Sequence, residues 1–259
     1  MTQPEAKPAA TAEQYLDRIR YTGDIDPTLE SLEALQRAHM TAVAFENIDV
    51  FRRVGVSTDI DTTLTKIVQN GRGGWCFENN GAFAWLLDQL GFDVRRLGAA
   101  VLLGGPNQLI DHLTLEVTLD RPYLVDVGFG ASFVRPLALN VAGAQDGGAG
   151  CFELLPSPQG TTLARDDDGV PVPQYRFKRV THALADFEPA SRRLQTDPSG
   201  HWLQGPFATR LIDGGPDRVT LLKDRIKFER GGQTEVVDVA ASDWSETLAT
   251  WFEMTVPMS

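Results

Sequence analysis

The 259-residue sequence predicts a mixed α/β (α+β) protein in three parts: a helical part over residues 1–92, a β-rich part over 93–190 and a smaller α/β part over 191–259. Three observations carry this. Apolar residues recur at helical spacing in four segments before residue 92, the period switches to two at Asp93, and the last seventy residues alternate short strand patterns before one terminal helix.

Taken in order, Met1–Ala12 is rich in Pro, Ala, Thr and Gln and reads as mobile. Thr11 is placed to cap a helix carrying Tyr15, Leu16 and Ile19, and a second helix carries Leu29, Leu32 and Leu35. A third runs over Thr62–Gln69 with Leu64, Ile67 and Val68. A fourth starts at the end of the glycine-rich loop Asn70–Gly74, presents Phe83, Trp85, Leu86, Leu87 and Leu90, and stops before Gly91. Strands follow over Val94–Leu103, His112–Leu119, Pro122–Phe129 and Gln174–Val180. Asn140–Gly150 and Asp166–Pro173, full of Gly, Asp and Pro, read as loops. The last part has strands at Phe207–Ile212, Arg218–Leu222, Arg225–Phe228 and Thr234–Val239. Its final helix is capped by Ser242 or Asp243 and striped by Trp244, Leu248, Trp251 and Phe252.

The chemistry centres on Cys76. A cysteine alone is more often a small buried hydrophobe than a nucleophile. This one falls in or just before the first turn of a helix, where unpaired backbone N–H groups and the positive end of the helix dipole favour an ionised sulfur. Downstream, the odd residues Leu113, Leu115, Val117 and Leu119 match Tyr123, Val125, Val127 and Phe129, so each strand should bury one face. A hairpin must align those faces, because a one-residue slip would expose one apolar set. With Thr118 opposite Pro122, the even face holds His112 diagonal to Asp126, about 7 Å apart at the β-carbons. A thiol needs an imidazole to take its proton, and the imidazole needs a carboxylate to fix its free nitrogen. The resulting acyl-thioester stays reactive toward amines.

Arg72-Gly73-Gly74-Trp75-Cys76-Phe77-Glu78 resembles the active-site signature of the arylamine N-acetyltransferases. Asp126-Val127-Gly128-Phe129-Gly130 is similar to that family's aspartate loop, and Phe45-Glu46-Asn47-Ile48 to a third motif. Pro198-Ser-Gly-His-Trp202 resembles a fourth loosely, with Gly200 where serine is usual, and residues 141–173 show no resemblance. The likeness implies a barrel-like middle part, a C-terminal lid and a papain-like placement of a Cys76, His112, Asp126 triad. It implies transfer of acetyl from acetyl-CoA through acetyl-cysteine to an arylamine, arylhydrazine or N-hydroxyarylamine. Phe45 and Phe129 would then wall the aromatic ring, and Gly128, Gly130 and Trp202 would meet the coenzyme; ordinary core packing and a tight turn are the plain alternatives. An amide synthase of the same fold, which closes a polyketide macrolactam, shares the triad. A papain-like or transglutaminase-like thiol hydrolase and a non-catalytic binding module are further alternatives.

Composition limits the partners. Thirty-five acidic residues against 24 basic ones give a net charge of −11, which disfavours nucleic acid and anionic membranes. The two cysteines make no disulfide framework, and a free thiolate at Cys76 suits a reducing, cytoplasmic compartment. No apolar run spans a bilayer, and Met1–Ala12 lacks the apolar core of a secretory signal. The four histidines, His39, His112, His182 and His201, show no paired metal-ligand spacing with the cysteines, so no metal is expected. Arg176, Lys178 and Arg179 read as a solvated strand face. Arg72 should pin the glycine loop, with Glu46 as its partner, and Glu78 should complement the helix dipole.

Overall fold

A computed structural model describes residues 9–256. Helix α1, Ala12–Arg18, begins where Thr11 and Gln14 exchange side-chain to backbone hydrogen bonds of 2.9 and 3.2 Å. Reciprocal capping of this kind satisfies N–H groups that a helix start leaves free. Helix α2, Leu29–Ala42, starts the same way from Thr28 and Ser31 and buries Leu32, Leu35 and His39. Of the stretch expected to be mobile, residues 1–8 lie outside the described residues. Ala10 is buried and the Ala9 amide donates to Asp61, so order begins before the first helix.

Strand β1, Phe45–Glu46, and helix α3, Ile48–Phe51, are too short for either period to register in the sequence. The third expected helix is split: α4, Ile60–Leu64, runs into a π-helical turn over Thr65–Gln69. Helix α5, Cys76–Gln89, starts at the sulfur-bearing residue and ends ahead of Gly91, whose φ of 84° suits a left-handed helix end. It is buried on nearly every side over its first nine residues, which makes it the central helix of the largest core cluster.

Eight antiparallel strands follow: β2 Asp93–Val101, β3 His112–Thr118, β4 Pro122–Val125, β5 Leu137–Ala138, β6 Ala144–Asp146, β7 Cys151–Ser157, β8 Gly160–Asp167 and β9 Val170–Thr181. Their order is β5-β4-β3-β2-β9-β8-β7-β6. The two edge strands are joined by one side chain, because the Gln145 amide accepts from the Ala138 N–H at 2.8 Å and donates to its carbonyl at 3.0 Å. The sheet is thereby nearly closed into a barrel around Leu97, Leu124, Phe133, Phe152, Leu163, Tyr175 and Phe177.

Closure corrects two sequence expectations. The β3–β4 hairpin has the expected register, Thr118 opposite Pro122, yet β3 is buried on both faces: Leu113, Leu115 and Val117 face the helical core, and Thr114 and Glu116 are equally enclosed. The expected loops within 140–150 and 166–173 contribute to strand β6 and to a β8–β9 hairpin. Asp168 and Gly169, with φ of 52° and 85°, form its two-residue turn, which is the usual use of an Asp-Gly pair between strands. Pro171 and Pro173 misled because prolines are barred from central strands. Here β9 pairs with β2 only from Tyr175 onward, so both prolines lie where β9 is an edge. Of the basic trio, Lys178 is exposed, but Arg176 donates to the Asn107 carbonyl and Arg179 holds the buried Glu116 at 2.6 Å.

The polar helix α6, Glu188–Thr196, went unpredicted because only Ala190 and Ser191 of it are buried. Strands β10 Ala208–Leu211, β11 Arg218–Leu221, β12 Arg225–Arg230 and β13 Gln233–Asp238 form a second sheet that takes its edge from β1, in the order β1-β10-β11-β12-β13. Helix α7, Trp244–Phe252, packs Trp244, Leu248 and Phe252 on that sheet. Asp243 sits at its cap position without a capping bond and accepts the Ser242 hydroxyl at 2.7 Å instead.

Candidate active site

Cys76 is 3% exposed at the first position of α5, and the loop before it is laid against β1. The Glu46 N–H donates to the Gly74 carbonyl at 2.9 Å and the Gly74 N–H to the Ala44 carbonyl at 3.1 Å. A β-carbon at Gly73 would stand 2.3 Å from the Ala44 carbonyl oxygen, so this loop requires glycine. Beneath it, Arg72 meets Glu46 at 2.7 Å and Asp49 at 3.1 Å, while Lys66 meets Glu78 at 2.9 Å and Asp49 at 3.0 Å. Glu78 also accepts the Trp75 N–H at 3.1 Å. Burial raises the Glu78 carboxyl above its ordinary value, against the pull of Lys66. Arg72 therefore pins the loop to Glu46 as expected. Lys66 was missed, because only the π-helical turn brings it under α5.

The ring of His112, at the start of β3, lies between Phe129 and Tyr175, each with its centroid 5.1 Å away. Its Nε2 is 2.6 Å from Asp126 Oδ2, which leaves Nδ1 as the nitrogen free for the thiol. The second carboxylate oxygen, Oδ1, accepts from Asn80 Nδ2 and the Gly128 N–H, each at 2.9 Å. Burial disfavours a charged His112, but Asp126, with a smaller push from the Cys76 thiol, outweighs it and lifts the imidazole to about 10. Burial would raise Asp126 in turn, and His112, Asn80 and Gly128 together hold it below the ordinary carboxylate range.

These shifts have a sign that can be measured. A Cys76→Ala variant leaves His112 facing Asp126 alone, so its imidazole keeps a proton in the folded chain that it loses near pH 6.5 when unfolded. Stability from this group is full below about pH 6.5 and is lost as pH rises through the folded-state value, which Asp126 alone still holds above the ordinary one. Unfolding free energies of Cys76→Ala should decline across that window, and Asp126→Asn added to it should flatten the decline. An unchanged slope would show that the carboxylate does not charge the ring.

An open cleft of about 730 Å³ runs past this group. Cys76, His112, Phe45, Phe129, Gly128, Gly130 and Trp202 all line it, and Asp126 lies buried behind His112. Phe45 packs edge-on to Trp202 at 5.9 Å, so it belongs to both the cleft wall and the core. Gly128 answers a packing need: a β-carbon there would stand 2.8 Å from Cys76 Cα and 2.7 Å from Asn80 Nδ2. Gly130 has φ of 87°. A larger cleft of about 1150 Å³ lies between α1, α2 and the second sheet, and its Glu33–Arg37 and Arg20–Glu253 pairs are already joined.

A sequence profile of a family described as N-acetyltransferase matches residues 28–259. The chain is 32% identical over 252 residues to the arylamine N-acetyltransferase of Mycobacterium bovis, covering 93% of this chain and 88% of that protein. The chain belongs to the arylamine N-acetyltransferase family. It is also 31% identical to the Escherichia coli arylamine N-acetyltransferase, over 88% of this chain and 83% of that one. The Mycobacterium marinum arylamine N-acetyltransferase solved in complex with CoA superposes with a TM-score of 0.87 at 32% identity, covering 94% of this chain and 93% of that one.

Two further residues join the site in this arylamine N-acetyltransferase family member. Asn80, one turn along α5 from Cys76, donates to Asp126 and to the Leu113 carbonyl at 2.6 Å and accepts the Val127 N–H at 2.9 Å. One amide thus ties the cysteine helix to the histidine strand and the aspartate loop. Its i+4 spacing from Cys76 was the signal available in the sequence. Tyr175 supports the His112 ring and shares a 3.1 Å hydrogen bond with Thr114. Nothing in a strand tyrosine marks that contact beforehand.

The five charges under the loop yield a further expected result. Arg72→Met leaves three enclosed carboxylates facing Lys66 alone and should cost about 3–5 kcal/mol of stability. Arg72→Lys should cost less and lower the melting temperature together with activity. Melting unchanged in both variants would show that the loop does not depend on this cation.

Proposed function

We propose that this chain transfers an acetyl group from acetyl-CoA to an arylamine, arylhydrazine or N-hydroxyarylamine by way of acetyl-Cys76. The carrying observation is the line from the helix-start sulfur through His112 to Asp126, with a 2.6 Å contact between the last two, opening on an aromatic-walled cleft. His112 already holds the thiol proton as an imidazolium beside the thiolate, the sulfur attacks the thioester carbonyl, and the departing coenzyme thiolate collects that proton. The amine then attacks acetyl-Cys76, and its proton passes through His112 back to sulfur. Aromatic amines suit this step because their lone pair is unprotonated near neutral pH.

In this reading Phe45 and Phe129 border the acceptor ring, and Gly128, Gly130 and Trp202 border the coenzyme's pantetheine arm. No resident metal is required by this chemistry. Residues 1–92 supply the nucleophile, 93–190 supply His112 and Asp126, and 191–259 form a lid over the cleft, in a papain-like arrangement. The free cysteines support a reducing, cytoplasmic setting for the working enzyme, and in this reading its partners are small molecules. Among the described residues no helix is long and apolar enough to cross a membrane.

Initial rates with coenzyme and amine varied together test the mechanism. Two half-reactions through one acetyl-enzyme give parallel double-reciprocal lines, and intersecting lines would contradict it. Acetyl-CoA consumption at full speed without amine would favour a hydrolase.

A further inference from the structure

We propose that Asp111 makes this cleft select aromatic amines and hydrazides whose second substituent is neutral, cationic or hydrogen-bond-donating, and reject those bearing a carboxylate. The inference rests on the arylamine acetyltransferase reading and names the acceptor class within it. Asp111 lines the cleft directly before His112 in the chain, and His201 lines it with Leu194 and Trp202. Among the described residues that line the cleft there is no lysine, arginine or glutamate, so Asp111 supplies its one acidic side chain.

The carboxylate is held in place. Oδ1 accepts the Val101 N–H at 2.8 Å and Oδ2 accepts Asn107 Nδ2 at 2.6 Å. An ionised carboxylate has about four acceptor positions, so about two stay open for a ligand. Burial pushes this carboxyl above its ordinary value, and outweighs the Val101 hydrogen bond, the His112 charge, the Asn107 hydrogen bond and the Arg193 charge, which all work against it. His201 offers no relief, since burial holds its imidazole below the ordinary value despite the nearby Asp111. Arg193 is exposed, lies outside the lining and donates to the Ile110 carbonyl at 2.7 Å. Among the described residues the one cation in the lining is the His112 imidazolium, and Asp126 already pairs with it at 2.6 Å, so an acceptor carboxylate that reaches Asp111 would face a second anion with no unpaired cation beside it. A donor or a cation there would find open lone pairs.

The test compares p-aminobenzoate, p-aminobenzamide and p-aminobenzylamine as acceptors at pH 8, in wild type and in Asp111→Asn. Wild type should favour the amide over the acid by roughly tenfold or more in kcat/KM, through KM, with the benzylamine at least equal to the amide. The preference should persist at about 0.5 M salt, because facing groups in a cleft are screened far less than the general field of an acidic protein. Asp111→Asn should narrow the amide-to-acid ratio at least threefold. Its melting temperature and rate of acetyl-enzyme formation serve as controls for the loop it anchors. Equal use of acid and amide by wild type, a ratio that vanishes in salt, or a ratio unmoved in a well-folded Asp111→Asn would overturn the inference. Absence of any acetyl-enzyme in wild type would instead sink the underlying function.

Discussion

Cys76→Ala should abolish acetyl transfer, a loss on the order of 10⁶-fold, to the uncatalysed background. The methyl group fills most of the space of a side chain that is 3% exposed, and the backbone contacts that anchor the loop remain: the Gly74 carbonyl with Glu46 and the Gly74 N–H with Ala44. The variant should fold, because neither the ion cluster of Lys66, Arg72, Glu46, Asp49 and Glu78 nor the Asn80 amide involves sulfur. Circular dichroism and size-exclusion elution like those of wild type, with no turnover for any amine, are the expected pair of results. Retained turnover would remove the sulfur from the mechanism.

Asp126→Asn should lower kcat by roughly 10³–10⁴-fold while leaving the fold in place. An asparagine oxygen still accepts from Asn80 and the Gly128 N–H, so the loop keeps two of its three contacts. What changes is the group facing His112 Nε2. An amide offers an N–H there, which turns the imidazole to its other tautomer and takes away the charge that lifts it to about 10. Nδ1 would then carry the proton it should receive. Cys76 in this variant should also react with iodoacetamide more slowly than in wild type. Near-normal kcat with unchanged thiol reactivity would show that the carboxylate only packs.

The sequence was most informative where chemistry and period coincide. The Gly73-Gly74-Trp75-Cys76 run, the shared parity of the two strands and the turn at Asp120 and Arg121 led to a register that the hairpin adopts from Leu115 opposite Val125 to Thr118 opposite Pro122, although the second strand ends at Val125 and not at the expected Phe129. That register brought His112 beside Asp126 before any side chain was placed. Asn80 and Lys66 were legible only in part, since their roles depend on partners distant in the chain: Leu113 and Asp126 for one, Glu78 and Asp49 for the other. Barrel closure was not legible. It rests on the Gln145 amide copying a strand's hydrogen bonds at Ala138, and on prolines tolerated in β9 because β2 stops short of them. Neither leaves a periodic trace.

The coupling of the second sheet to the site was also hidden. Phe45 belongs to β1, which pairs with β10 through Thr209 and bridges to Gly74, so one short strand joins the cleft wall, the nucleophile loop and the C-terminal sheet. Two residues are too few to declare a strand from composition, although the same two anchor the ion cluster through Glu46.

Intact-protein mass spectrometry after brief mixing with acetyl-CoA, followed by addition of an aromatic amine, tests the central claim most directly. Wild type should gain the mass of one acetyl group, map it to Cys76, and lose it when the amine is added as the acetylated amine appears. Cys76→Ala should gain nothing. An unmodified wild-type chain that still acetylates the amine, or an acetyl group on any other residue in the competent intermediate, would contradict the account.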